Sequence, residues 1–204
     1  MDNKEFKPYI PAEKITPEIT ITSIVMGVLL AVIFGAANAY LGLRVGMTVS
    51  ASIPAAVIAM GVIRVIMRKN SILESNIVQT IGSAGESLAA GAIFTLPALF
   101  LWAAEGKVDK PGLWEITAIA LIGGLLGVFF MVPLRNALIV KEHGVLPYPE
   151  GTACSEVLLA GEEGGAKAST VFAGMGFAAL FKFIIDGLKL VAGEISVSVK
   201  GFAG

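Results

Sequence analysis

Long runs of apolar residues are the feature that most restricts how this chain can fold. A helix needs roughly 20 residues to cross about 30 Å of hydrocarbon, and several runs in the sequence approach that length. With 55% hydrophobic and 15% charged residues among its 204, the chain is also too apolar for an ordinary soluble domain. We therefore predict an all-α polytopic membrane protein.

The apolar runs predict about five transmembrane helices, some of them broken or re-entrant. The runs are Ile19 to about Leu43, Thr48 to about Ile66, a third ending in "LAAGAIFTLPALFLWAA", then "LWEITAIALIGGLLGVFFMVPL", and Val171 to about Val191. The third belongs to a stretch, 71–104, that is too long for one straight span, so a break is expected at Gly82 and Gly85. The prediction divides the chain into an N-terminal segment, 1–18, and a transmembrane domain, 19–204.

Positive charges predict the orientation. The N-terminal segment is charged and lacks the apolar core and cleavage site of a signal peptide. Lysines and arginines precede the first run and follow the second and fourth runs: Lys4, Lys7, Lys14, Arg64, Arg68, Lys69, Arg135, Lys141 and Lys167. Because cytoplasmic loops are rich in such residues, the N-terminus should be cytoplasmic, in a plasma (inner) membrane.

Several function classes find no support in the sequence. A net charge of -1 gives no reason to expect nucleic acid as a partner. One cysteine, Cys154, and one histidine, His143, do not make a metal site, and no cofactor is predicted. There is no Walker-type phosphate loop, and no nucleophile has an orienting carboxylate at a defined spacing. We therefore do not predict an enzyme.

An acid, Glu86, lies where the sequence becomes strongly apolar. On a helix at 100° per residue, one stripe of about 120° collects the polar residues of this stretch: Asn76, Gln79, Thr80, Ser83, Glu86 and Ser87. One interpretation is a solvated face at the membrane interface. The other is the lining of a cavity, which we favour because ionisable groups inside membranes are usually functional.

A second unusual stretch, "PYPEGT", contains Pro147, Pro149 and Gly151. These residues predict an irregular backbone, with Thr152 capping a helix that starts after it. Such a helix start offers free N–H donors that suit an anion such as a substrate carboxylate. An ordinary cytoplasmic loop is the alternative.

Three blocks of sequence, in order, resemble the oligopeptide transporter family, which includes the yellow-stripe metal-chelate transporters. The blocks are "NAYLGLRVGMTVSASIPAAVIAMGVIR" from Asn38, "NIVQTIGSAGESLAAGAIFTLPAL" from Asn76 and "GVLPYPEGTACSEVLLAGE" from Gly144. The resemblance implies secondary active, proton-driven uptake of peptides or peptide-like metal chelates. Because members are much longer, the chain is expected to be the N-terminal portion of a larger transporter fold.

These observations lead to expected roles for individual residues. A carboxylate in a low-dielectric cavity takes up a proton more readily than in water, which makes Glu86 the first candidate for proton coupling and Glu156 the second. The expected substrate-binding residues are Asn76, Gln79, Ser83, Tyr148, Glu150 and Thr152. The expected partners are the substrate, protons, the lipid bilayer, and either a second copy or the missing C-terminal part of the carrier. The alternatives are a passive solute channel and a truncated fragment that does not transport.

Overall fold

The computed structural model describes residues 8–11, 13–69 and 71–190. The chain divides into two compact units, Met1–Glu162 and Glu163–Gly204. The described residues form six α-helices and no strands: α1 Ile21–Val45, α2 Ser52–Gly61, α3 Ile72–Ala104, α4 Leu113–Arg135, α5 Pro149–Glu163 and α6 Gly165–Lys182. Short π-helical turns follow α2, α4 and α6, at Val62–Ile66, Asn136–Lys141 and Phe183–Gly187. The all-α class is confirmed.

Four described helical segments are long and apolar enough to cross a membrane: Ile21–Val45, Ile72–Ala104, Leu113–Lys141 and Ala168–Gly187. The remaining predicted run, from Thr48, contains a shorter apolar helix, Ser52–Arg64. The polytopic architecture with a broken helical segment is therefore confirmed. The predicted division of the chain at residue 18 stays a prediction.

Helices α1 and α3 run parallel in close contact through glycines. A methyl group placed on Gly27 would lie 2.7 Å from Cβ of Ile81, and one placed on Gly42 would lie 2.8 Å from Cγ2 of Ile93. The residue numbers of these contacts increase together on both helices, so the two helices point the same way. Side chains of α3 thus fill spaces that the glycines of α1 leave open, as small residues allow in membrane helices.

The predicted break at Gly82 and Gly85 is wrong, since α3 is continuous over 33 residues. The glycines serve helix packing instead. A methyl group on Gly85 would lie 2.6 Å from Cα, Cβ and the carbonyl oxygen of Ala31, and one on Gly82 would lie 3.3 Å from Cβ of Leu30. Backbone contact with α1 therefore explains these positions without any loss of helix.

The break lies instead between α1 and α2. Helix α1 ends at Val45 and is capped by Gly46, whose φ of 78° is left-handed and whose N–H donates to the carbonyl of Gly42. The chain then stays non-helical to Ala51. Asn38, buried in α1, holds this connection: its Nδ2 donates to the Val49 carbonyl at 2.9 Å, and its Oδ1 accepts from the Val49 N–H at 3.0 Å. Both polar groups of the Val49 backbone thus have a partner within the protein.

Helix α2 packs its small residues against α3. Ala55, Ala59 and Ile63 form the core of the first unit together with Val78 of α3 and Leu30 of α1. Three alanines of α2, Ala55, Ala56 and Ala59, are completely buried, so α2 packs closely against its neighbours. This close packing fixes the start of α2 beside the middle of α3.

Helix α5 begins at Pro149, so the expected cap at Thr152 is wrong. Proline suits the first turn of a helix because no backbone N–H is needed there and its φ is already helical. Thr152 lies in that turn: its N–H donates to the Tyr148 carbonyl at 2.9 Å and its Oγ1 to the same oxygen at 2.8 Å. Its amide is therefore not a free anion donor.

The second unit contains α6 and the π-helical turn after it. Lys182 and Asp186 form an ion pair of 2.9 Å one turn apart on this segment, as their spacing indicates.

Candidate functional site

A polar cavity of about 400 Å³ lies in the first unit, where α3 meets the starts of α2 and α5. Its volume falls in the range of small-ligand sites, roughly 300–1,000 Å³. Its walls are mostly polar: Ser50, Ser52, Asn76, Gln79, Ser83, Glu86, Ser87, Glu150, Gly151, Cys154, Ser155 and Leu158. The polar stripe of α3 therefore borders a cavity, to which it contributes Asn76, Gln79, Ser83, Glu86 and Ser87.

Three consecutive residues at the start of α2 connect the cavity walls. The Ser50 hydroxyl donates a hydrogen bond to Glu150 of α5. The Ala51 N–H donates to Oε2 of Glu86 at 2.7 Å, and Ser52 shares a hydrogen bond of 2.7 Å with Ser83, both on α3. The end of the non-helical connection thus touches each acid of the cavity.

Glu86 lies inside the protein, with 8% of its surface exposed. The N–H that it accepts, from Ala51, is at the N-terminus of α2, where unpaired N–H groups carry a partial positive charge. A buried carboxylate needs such a partner, because burial without one is strongly unfavourable. No described donor contacts its second oxygen, Oε1, so one side of the carboxylate stays open to a ligand.

Glu150 is exposed, in the first turn of α5 and outside the four candidate spans. Hydrogen bonds from the hydroxyls of Ser50 and Ser52 hold the pKa of its carboxyl below the ordinary value. Cys154, one turn further along α5, is buried, and this burial together with the charge of Glu150 raises the pKa of its thiol. A neutral thiol and a charged carboxylate therefore lie side by side on α5.

Five of the eight predicted site residues line the cavity: Asn76, Gln79, Ser83, Glu86 and Glu150. They come from stretches of sequence more than 60 residues apart, and packing places them on facing walls. Gln79 also approaches α5, with Nε2 3.9 Å from Sγ of Cys154.

The other three predicted residues, Tyr148, Thr152 and Glu156, are not among the lining residues. The Tyr148 hydroxyl donates to the Leu138 carbonyl at 2.9 Å, and the hydroxyl of Thr152 bonds back to its own helix. Glu156 is exposed on α5. The cavity as described is therefore formed without these side chains.

Sequence reasoning missed Ser50, Ser52 and Asn38. A local signal for the two serines exists, because "SASIP" places Ser50 and Ser52 shortly before Pro54, and serine followed by a proline in the first turn is typical of a helix start. No comparable signal marks Asn38, because the sequence does not distinguish it from other polar residues in membrane helices. Its partner, Val49, is eleven residues away, and only the turn at Gly46 brings the two together.

The residues that line the cavity include acids but no bases. Among its described lining residues, two are carboxylates and none is lysine, arginine or histidine. The described part of the chain also has no group of three or more His, Cys, Asp or Glu residues suited to a metal ion. The lining can thus offer carboxylate, hydroxyl and amide groups to a polar or cationic ligand.

Comparison with known proteins gives a consistent family. The family model described as "OPT oligopeptide transporter protein" matches residues 18–198. A protein of Haemophilus influenzae, named as an oligopeptide transporter, is 40% identical over 163 residues, which is 79% of this chain and 25% of that relative. No solved structure matches the chain significantly. Because the family model covers most of the sequence, the chain belongs to the oligopeptide transporter family.

Proposed function

We propose that the natural carrier, meaning the whole protein that contains this sequence in its cell, is a secondary active transporter. It takes up oligopeptides or peptide-like metal chelates together with protons. The observation that carries the proposal is the polar cavity, where a buried carboxylate of an apolar helix meets the starts of two other helices. Irregular backbone beside a polar cavity is how many carriers form a substrate site within apolar surroundings.

Proton coupling is assigned to Glu86, with Glu156 as the second candidate. Protonation of Glu86 removes the negative charge that the Ala51 N–H now faces at the N-terminus of α2. The contact between α2 and α3 therefore depends on whether a proton is bound. Each proton that moves inward releases about 2.3 kcal/mol per 100 mV of membrane potential, enough to support a substrate gradient of more than tenfold.

Substrate binding is assigned to the polar groups around the cavity. Asn76, Gln79 and Ser83 offer amide and hydroxyl groups from α3 to the backbone of a peptide. Glu150 faces them from α5. Tyr148 and Thr152 lie at the same helix start, and we assign them to substrate that enters from this side.

The replacement Glu86→Gln tests the coupling role. Glutamine keeps an oxygen that accepts from the Ala51 N–H but does not titrate, so the fold should persist while coupling is lost. In proteoliposomes containing the natural carrier, we expect the proton-driven accumulation of a labelled tripeptide to disappear. Exchange of the peptide down its own gradient should continue.

The matched control is Glu142→Gln, which removes an exposed carboxylate that is not among the lining residues of the cavity. It should accumulate peptide like the native carrier. Undiminished accumulation by Glu86→Gln would transfer the coupling role to Glu156, to be tested in the same way. Peptide flux that ignores the proton gradient even in the native carrier would instead identify a passive channel.

A further inference from the structure

We infer that Asn38 is a positioning residue of the polar cavity, because it holds the segment whose next residues contact the cavity acids. The inference rests on the proposed function only in treating the cavity as the substrate site. Asn38 lies on α1 and is not among the residues that line the cavity. It therefore acts on the acids through the backbone of the connection between α1 and α2.

Both polar groups of the Asn38 amide bond to one residue, Val49. Its Nδ2 donates to the Val49 carbonyl at 2.9 Å, and its Oδ1 accepts from the Val49 N–H at 3.0 Å. An amide suits this contact because it has a donor and an acceptor but no charge. Asn38 is only 2% exposed, and burying a polar side chain is unfavourable unless it has such partners.

Asn38 is the main restraint on the connection before α2. Among the described hydrogen bonds, only those of Asn38 join residues 47–49 to the rest of the protein. The side chain of Val49 is 57% exposed, so packing within the first unit adds little. The position of the Val49 backbone therefore depends on the Asn38 amide.

The residues directly after Val49 contact both acids of the cavity. The Ser50 hydroxyl donates to Glu150, and the Ala51 N–H donates to Oε2 of Glu86 at 2.7 Å. Because peptide units are planar and neighbouring Cα atoms stay about 3.8 Å apart, a shift of Val49 moves the next residues with it. The hydrogen bonds at both carboxylates thus depend on where α1 holds Val49.

A positioning role differs from a purely structural one in its effect on Glu150. Hydroxyls of Ser50 and Ser52 hold the pKa of the Glu150 carboxyl below its ordinary value. If Asn38 places these hydroxyls, its loss should raise that pKa, because hydrogen bonds to the charged form are weakened. A residue that only stabilises the fold would lower the free energy of unfolding without this effect.

Titration of Glu150 in the purified natural carrier tests the inference. The infrared carbonyl band of its protonated form is identified as the band that Glu150→Gln removes, and its intensity is followed from neutral pH downward. Asn38→Leu keeps a similar volume but removes both hydrogen bonds, so it should shift this titration to higher pH. Asn38→Ser serves if the leucine variant does not fold, because a serine hydroxyl can bond to its own helix and is shorter than the amide that reaches Val49.

A changed background tests whether Asn38 acts through the two hydroxyls. Ser50→Ala/Ser52→Ala lacks both of them, so adding Asn38→Leu should cause no further shift, since changes that act through one contact are not additive. The other titratable groups of the described lining, Glu86 on α3 and Cys154 on α5, are the same in every variant. A shift that disappears in this background therefore belongs to the hydroxyls.

Ser23→Ala is the matched control. Ser23 is also fully buried in α1, but its hydroxyl donates to the Thr20 carbonyl at 2.9 Å, at the start of the helix. Its loss should lower the midpoint of thermal unfolding and leave the Glu150 titration unchanged. Size-exclusion chromatography checks the folding of each variant.

Three results would overturn the inference: an unchanged Glu150 titration in the folded Asn38 variants, an equal shift in Ser23→Ala, or an undiminished shift in the background without both hydroxyls. Failure of the proposed function looks different, because the infrared titration needs no substrate. A native carrier that accumulates no peptide would refute the transport proposal. A titration that responds to Asn38 through the two hydroxyls would still support the positioning role.

Discussion

Three single residues at the start of α2 connect the walls of the cavity, Ser50 and Ser52 by their hydroxyls and Ala51 by its backbone N–H. Ser50, Ala51 and Ser52 each contact a different residue on the walls, and two of these contacts involve carboxylates. None of the three is itself ionisable, so their effect is to orient and stabilise charge. The chemistry of Glu86 and Glu150 is therefore sensitive to small changes in this short segment.

Removing the Ser50 hydroxyl should shift the pH range of ligand binding. The hydroxyl lowers the pKa of Glu150, so the native carboxylate stays charged to a pH below its ordinary value of 4.5. Ser50→Ala should raise that pKa, so the contribution of the charged Glu150 carboxylate to peptide binding should be lost at a higher pH on acidification. The measurement is trialanine amide binding from pH 7 downward, since this ligand has no carboxylate of its own.

Ser155→Ala is the matched control for this prediction. Ser155 also lines the cavity, but its hydroxyl donates to the Thr152 carbonyl and not to an acid. Binding to this variant should be lost on acidification at the same pH as binding to the native carrier. Glu86 and Cys154 also face the cavity and are unchanged in both variants. If the pH at which binding is lost does not change in Ser50→Ala, Ser50 does not control the pKa of Glu150.

The sequence was a good guide to residues whose role follows from local periodicity. The α3 stripe repeats at helical spacing, and five of its six members line the cavity as that spacing predicts: Asn76, Gln79, Ser83, Glu86 and Ser87. Ser50 could not be paired with Glu150 in this way, because the two are 100 residues apart and meet only through the packing of α2 and α5.

At the level of helices, glycines determine how closely α1 and α3 approach. Gly85 has the backbone and Cβ of Ala31 directly against it, whereas Gly91, two turns further along α3, has nothing within 4 Å of an added methyl group. The same residue type thus has two different roles on one helix. Only the first role requires glycine.

This difference leads to a paired prediction. Gly85→Ala should lower the free energy of unfolding by about 1–3 kcal/mol, because the new methyl group overlaps backbone that cannot move aside easily. Gly91→Ala should be neutral or stabilise by up to about 1 kcal/mol, because alanine favours helix. The midpoints of thermal unfolding in one detergent compare the two. Equal midpoints would mean that α1 and α3 are not in close contact at Gly85.

The apolar runs in the sequence correctly predicted that helices form, but they did not predict where the helical segments are broken. Glycines in a membrane helix serve either as breaks or as contact points, and their spacing alone does not separate these roles. The partner helix decides, since Ala31 on α1 fills the space beside Gly85. At Gly46 no neighbour lies within 4 Å, and the left-handed φ of that residue ends α1.

For the whole molecule, the arrangement of α1 and α3 bears on the predicted orientation. The Ser71 hydroxyl donates to the Pro17 carbonyl at 3.1 Å, which brings the segment before α1 and the one before α3 to the same end. Both segments carry the lysines and arginines expected on the cytoplasmic side of a plasma membrane. We propose that this end is cytoplasmic.

Cysteine labelling tests that orientation. In a Cys154→Ser background, Lys69→Cys should resist an impermeant thiol reagent added outside intact cells and react once the membrane is permeabilised. Asp109→Cys, beyond the opposite end of α3, should react in intact cells. The reverse pattern at the two positions would place the N-terminus outside.

The glycine contacts between α1 and α3 also limit which parts can move during a transport cycle. The backbones of the parallel helices α1 and α3 touch at Gly85, so neither helix can slide or rotate against the other without steric overlap. We therefore expect the two helices to move as one rigid unit. Within the described residues, the start of α5 lacks a backbone contact of this kind beside the cavity, where the hydrogen bond from Ser50 to Glu150 holds it. In a carrier that opens alternately to either side, we therefore expect α1 and α3 to stay fixed relative to each other and the start of α5 to move.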